Sequence, residues 1–178
     1  MATLGRNSLY NPKLENLSRD DRLAGQDQPR GRVLALDVGK KRIGLAISDE
    51  LGITAQGLET LQRTRIRADL ERLREIARDW NVQCLLVGKP LHMNGSESRQ
   101  SEYTREFAGR LGRYLELPVV FLDERLTTVE AERLLREAGA SLDERKHAVD
   151  RLAAMLLLES YLGQSSTPAR PEEGGTFG

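Results

Sequence analysis

The sequence predicts an α/β domain, a mixed five-stranded sheet with helices on both faces, and three observations carry that prediction. Val33–Leu36, Val82–Val87 and Val119–Leu122 are uninterrupted apolar runs, the pattern of strands buried on both sides. The second and third of these each follow a segment whose apolar residues recur at helical spacing, as in βα units that build parallel strands. The first instead turns back within a few residues into another apolar run, Ile43–Ser48, so part of the sheet is antiparallel.

Each element has a local cause. Val33–Leu36, Ile43–Ser48 and roughly Ile53–Leu61 are separated by short turns and read as an antiparallel meander. Gly39 and Gly44 are expected to permit the positive φ angles and close backbone approach of a tight hairpin. Ile66, Leu70, Leu73, Ile76, Ala77 and Trp80 share one helical face, and Val82–Val87 follows as a strand. Ser96 can cap a helix with the inward stripe Tyr103, Phe107, Leu111 and Leu115, stopped by Pro118 before strand Val119–Leu122. Thr127 to Glu130 has the spacing of a capping box, and Gly139 suits a left-handed stop after Ala138. Ser141 to Glu144 repeats the box and opens a last helix that runs to about Leu162. The order is βββ-α-β-α-β-α-α. One domain is expected at 32–162, between tails at 1–31 and 163–178 whose Gly, Pro, Ser and charged residues lack periodicity and predict disorder.

The 178 residues carry 27 basic and 27 acidic side chains, so attraction to a polyanion must come from local asymmetry. Cys84, the single cysteine, lies in an apolar run and reads as a small core residue. No apolar stretch has signal-peptide or transmembrane length, which predicts a cytoplasmic protein without a membrane partner.

In a sheet of this kind ligands gather at the carboxyl ends of the parallel strands. Asp37 ends the first of them, and Asp123-Glu124-Arg125 ends the last. The segment Gly88 to Ser96 leaves the middle one. Asp150 heads a helical stripe of Ala153, Ala154, Leu157 and Tyr161, where the alanines allow close packing on the sheet. A carboxylate on such a face is costly to bury alone and is explained if it shares a cation. Asp37, Glu124 and Asp150 thus form an acidic trio of hard oxygen ligands. The trio suits Mg²⁺ or Mn²⁺, and a two-metal site can clamp both the attacking and the leaving oxygen of a phosphodiester. Lys40, Lys41 and Arg42 put cations on the adjacent hairpin tip. Each acid taken singly also has an ordinary reading, as a strand end, a solvated strand exit or a helical acid paired with Lys146. His92 reads as a loop residue. The series Arg63, Arg65, Arg67, Arg72, Arg74 and Arg78, broken by Asp69, Glu71, Glu75 and Asp79, reads as a solvated helix face.

Four spaced segments then resemble one family. They are Ala35-Leu-Asp37-Val-Gly39-Lys-Lys-Arg-Ile-Gly44-Leu-Ala, the Val87-Gly88-Lys-Pro90-Leu-His-Met-Asn-Gly95-Ser loop, Asp123-Glu124-Arg125-Leu-Thr127-Thr128, and Val149-Asp150-Arg-Leu-Ala-Ala. Together, and in the right order over about Arg32 to Leu162, they resemble the YqgF family of bacterial RNase H-like proteins. That family is similar to Holliday-junction resolvases and is assigned to nuclease processing of the 5′ end of pre-16S rRNA. The resemblance implies an RNase H-like fold, catalytic and metal-ligating roles for Asp37, Glu124 and Asp150, and ribosome biogenesis as the setting. Lys40, Lys41, Arg42, Lys89 and Arg125 would then hold substrate phosphates. The partner is structured RNA, pre-16S rRNA or its precursor particle, or else branched DNA. Lys89 stands where many members carry an apolar residue, and the fourth strand ends without the carboxylate that related resolvases place there.

Alternative readings stay open at this point. One is a resolvase acting in DNA recombination, another a non-catalytic nucleic-acid-binding factor in ribosome assembly or transcription. An actin-like ATPase shares the Asp-x-Gly hairpin, but that class closes two such domains on its nucleotide. Oligomeric state and the choice between the two metals are not legible.

Overall fold

The computed structural model of the chain describes residues 8–10, 31–89, 99–123, 127–139 and 141–165. The long strand β2 (Arg32–Val38) decides how the rest packs around it. Leu34, Leu36 and Val38 belong to one apolar cluster, and Val33 and Ala35 to another on the opposite face, as the two-residue period of a strand requires. Strand β3 (Arg42–Ser48) repeats the split, with Ile43, Leu45 and Ile47 on the first face and Ala46 on the second. The first face is covered by α1 (Ile66–Asp79) and α2 (Arg99–Leu115), through Leu73, Ala77, Phe107, Ala108 and Leu111. The second is covered by α4 (Leu142–Ser165), through Ala154, Leu157, Leu158, Tyr161 and Leu162.

Four short or edge-proximal strands complete the sheet: β1 (Ser8–Tyr10), β4 (Ala55–Gly57), β5 (Leu61–Gln62) and β7 (Val119–Asp123). With β2, β3 and β6 (Val82–Lys89) they give seven strands among the described residues, in the order β1-β7-β6-β2-β3-β4, and β5 also pairs with β3. As expected, β2, β6 and β7 run parallel while β3 returns antiparallel to β2. Helix α3 (Thr127–Glu137) packs on α4. It stops as the sequence predicts, with Gly139 at a φ of 74° behind Ala138.

The strand count differs from the expected five for two reasons. The third strand, predicted over Ile53–Leu61, divides into β4 and β5, and Ile53 itself is 69% exposed. Ser8–Tyr10, within the stretch expected as an N-terminal tail, pairs with β7 at the sheet edge; three residues are too few for any periodicity to announce them. The rest of 1–30 and 166–178 lies outside the described residues. Helix α4 continues past Leu162 to Ser165. Tyr103 also departs from its predicted stripe: α2 buries Ser101, Thr104, Phe107, Ala108, Leu111 and Gly112, and Tyr103 remains at the surface. No described helix is long and apolar enough to cross a membrane.

Candidate active site

The β2–β3 hairpin places Asp37. Its loop closes through the Gly39 N–H donating to the Arg42 carbonyl at 2.9 Å, and Asp37 lies in register with Gly44 across the strand pair. Strand alternation sets Asp37 on the same face as Val33 and Ala35, toward α4, and sets Arg42 and Gly44 there with Ala46. Neither Gly39 nor Gly44 has the positive φ that the sequence led us to expect. Gly44 is needed for another reason: a Cβ on it would lie 1.9 Å from the backbone oxygen of Asp150. Helix α4 therefore touches the sheet backbone to backbone, directly across from Asp37, and the buried Ala153 and Ala154 of the next turn keep that approach close.

Two of the three predicted acids are thus brought to one spot on one face by elements far apart in sequence. Asp150 is held there by Arg42, whose Nε donates to its Oδ2 at 2.6 Å, with side chains 32% and 23% exposed. Arg42 is therefore not a bare cation at the hairpin tip, and Asp150 pairs with it where the sequence suggested Lys146. Lys40 and Lys41 are exposed at the tip. Lys89 ends β6 opposite Asp123 in register, and alternation from Val87 carries it to the α1–α2 face, across the sheet from the carboxylates. Glu124, Arg125 and His92 lie outside the described residues. Among the described residues no three His, Cys, Asp or Glu side chains gather as a metal site. Asp37 and Asp150 are hard oxygen donors on the same face at the Gly44–Asp150 contact, the chemistry a divalent cation takes, and Arg42 supplies positive charge beside Asp150.

On the opposite face the hairpin is fastened by residues the sequence reading had dispersed along a solvated helix. Arg63 lies ahead of α1, and its side chain is 8% exposed against 3% for its partner Asp69. Its Nε donates to Asp69 Oδ2 at 3.2 Å, its Nη1 to the Gly39 carbonyl at 2.8 Å, and its Nη2 to the Tyr103 hydroxyl. The guanidinium also sits 5.1 Å from the Tyr103 ring centre and 4.9 Å from that of Phe107. Asp69 in turn accepts the Thr64 N–H at 3.0 Å, closing the first turn of α1. Gln100 of α2 donates to the Val38 carbonyl at 3.0 Å. The remaining arginines of the series are exposed, and Arg72 and Arg74 pair with Glu75 and Glu71 along α1, as a solvated face predicts. The signal that could have singled out Arg63 is its position before the helix, where its side chain does not follow the helical period.

Cys84 is a core residue, as read from the sequence; burial pushes its thiol up to about 12, well away from a nucleophile's range.

Residues 31–164 match the family described as "RuvX: Holliday junction resolvase". A relative from Koribacter versatilis, named "Putative pre-16S rRNA nuclease", is 51% identical over 132 residues, spanning 74% of this chain and 86% of the relative. One of the same name from Symbiobacterium thermophilum is 47% identical over 142 residues, 80% of this chain and 97% of the relative. The fold is similar to that of Thermus thermophilus RuvC in complex with a Holliday junction substrate, at a TM-score of 0.50 and 16% identity over 77% of this chain and 97% of that one. The sequence resemblance and the hairpin-to-helix geometry thus meet in one assignment: the chain belongs to the RuvX (YqgF) family of resolvase-like nucleases.

Proposed function

We propose that this chain is a divalent-metal-dependent endonuclease acting on structured RNA, with the 5′ end of pre-16S rRNA as its substrate and the precursor particle as its setting. The observation that carries this reading is the seat of Asp150 on Gly44, directly across the strand pair from Asp37. Asp37 and Asp150 would hold the metal together with Glu124. Bound there, Mg²⁺ or Mn²⁺ supplies Lewis-acid polarisation of a phosphoryl oxygen. Arg42 neutralises Asp150 at the edge of the same spot, and the partial exposure of the pair leaves it able to exchange the carboxylate for a substrate phosphate. Lys40 and Lys41 add positive charge at the hairpin tip, Arg125 is a further phosphate contact of this reading, and Lys89, across the sheet from the carboxylates, would meet only a substrate segment on the α1–α2 side.

The test is incubation of the purified protein, and of an Asp37→Asn control, with precursor rRNA and with a four-way DNA junction, each with Mg²⁺ or Mn²⁺. Cleavage of the RNA by the parent and not by the control is expected. Cleavage of the junction alone would replace the rRNA assignment with resolution of branched DNA, and equal products from parent and control would remove Asp37 from the chemistry.

A further inference from the structure

A cavity of about 480 Å³ opens on the α1–α2 side of the same hairpin, lined by Lys40, Lys41, Arg63, Thr64, Asp69 and Tyr103 among others. We propose that it is a second site, which receives a phosphate-bearing nucleotide from a single-stranded flank of the substrate. This rests on the nuclease reading for the identity of the polymer, while the cavity's own chemistry calls only for an anionic, ring-bearing ligand.

Size comes first: the volume falls within the roughly 300–1,000 Å³ of ordinary small-ligand pockets and suits one nucleotide. Charge comes second. Lys40, Lys41 and Arg63 face one acid, Asp69, and that acid is already bound to Arg63. Neither lysine has an ion-pair partner among the described residues, so the cavity keeps two uncompensated cations. Third, its wall is rigid. Arg63 is more than nine-tenths buried, and three of its five N–H groups are spent on Asp69, Gly39 and Tyr103. The other two have no protein acceptor among the described residues, and Arg63 is part of the lining. Fourth, Tyr103 is 37% exposed while Arg63 lies against its ring. A ring backed by a guanidinium and open elsewhere is a stacking platform for a base.

Placement joins this site to the first one. The turn from Gly39 to Arg42 is the sheet's rim: Arg42 faces α4 beside Asp150, and Lys40 and Lys41 line the cavity on the other side. A strand leaving the carboxylates over this rim meets the two lysines first and Tyr103 next. A single strand can make that bend; a duplex would have to open.

The experiment measures binding of the full chain, carrying Asp37→Asn so that no cleavage intervenes, to a blunt RNA duplex and to the same duplex with a single-stranded overhang. Fluorescence anisotropy is read over a range of salt. The overhang is expected to tighten binding about ten-fold. Lys40→Gln with Lys41→Gln should abolish that gain and lower the slope of log affinity against log salt by about 1.4 units, roughly 0.7 per single-strand phosphate contact. Tyr103→Leu should weaken overhang binding at an unchanged salt slope, and Tyr103→Trp, which also lacks the hydroxyl but keeps a stacking face, should restore it. Equal affinity for blunt and overhanging duplex in every variant would overturn the proposal, as would complete displacement of the overhang by millimolar inorganic phosphate, which marks a small-anion site. The two readings fail separately: overhang-dependent binding without cleavage by the Asp37 parent speaks against the nuclease, and cleavage without overhang-dependent binding speaks against this site.

Discussion

Two arginine–aspartate pairs flank the same hairpin, one on each face of the sheet, and they behave oppositely. Arg63–Asp69 is almost sealed, and every group around it is tied to a third element: the hairpin through Gly39, α2 through Tyr103, and the first turn of α1 through Thr64. Arg42–Asp150 is shorter at 2.6 Å, yet both side chains keep a quarter to a third of their surface in water. Length is a poor guide to the role of an ion pair, and burial with further partners a better one. A buried pair resists loss of either member because the survivor is stranded without water. A partly exposed pair can trade partners at small cost, which under the nuclease reading would suit a residue beside a metal and a phosphate.

The comparison can be broken at its strongest point. Asp69→Ala leaves the Arg63 guanidinium buried without its counter-charge, and a loss of about 3–5 kcal/mol is expected in chemical denaturation. A loss below about 1 kcal/mol, the range of surface pairs, would put Arg63–Asp69 in the same class as Arg42–Asp150. Next in size is Gly44→Ala. The added methyl collides with the Asp150 backbone, so α4 must shift at a cost of about 1–3 kcal/mol. Under the metal-dependent reading Mg²⁺ or Mn²⁺ is expected to raise the melting temperature of the parent, and that rise should shrink in Gly44→Ala. An unchanged melting curve would mean that α4 does not rest on Gly44.

Alkali separates the faces in a third way. Burial raises the Cys84 thiol from 9.0 to about 12, and burial raises the Tyr161 hydroxyl from 10.0 to about 12; both belong to the cluster under α4. The unfolded chain releases these protons first, so native stability is complete below pH 9 and falls as pH rises from 9 toward 12. Urea midpoints taken across that window should decline, and Cys84→Ala should soften the decline. The smallest effect is expected from Arg42→Gln and Asp150→Asn, each costing at most about 1 kcal/mol. In Asp150→Asn the removal of a like charge near Asp37 acts in the opposite direction to the loss of the Arg42 partner, which keeps the net cost small. Cleavage should nevertheless vanish in Asp150→Asn, and unchanged cleavage would remove Asp150 from the site.

How far the sequence could be read follows from the range of each signal. The strands around Val33, Val82 and Val119, the helix from Ile66 and the Gly139 stop are written in local period and capping, and they stand as expected. That Asp37 and Asp150 would lie on one face was legible for a related reason, because a carboxylate ending a buried strand or heading an apolar stripe is anomalous there. Arg63 was not. Its environment is assembled from Gly39, Asp69, Tyr103 and Phe107, and no window of neighbouring residues contains that set. The cavity is invisible for the same reason, and β1 because it is only three residues long.

The seat of Asp150 on Gly44 also has a consequence in time. Arg42 and Asp150 are 108 positions apart, and α4 is synthesised after every strand of the sheet. Domains generally fold as units, and one face of β2, β3 and β6 stays uncovered until α4 packs on it, so Asp150 reaches Asp37 only after the chain has been made through α4. Under the nuclease reading, a nascent chain not yet made through α4 holds Asp37 without its helical partner. Under that reading cutting waits on α4, which follows every described strand of the sheet in the chain.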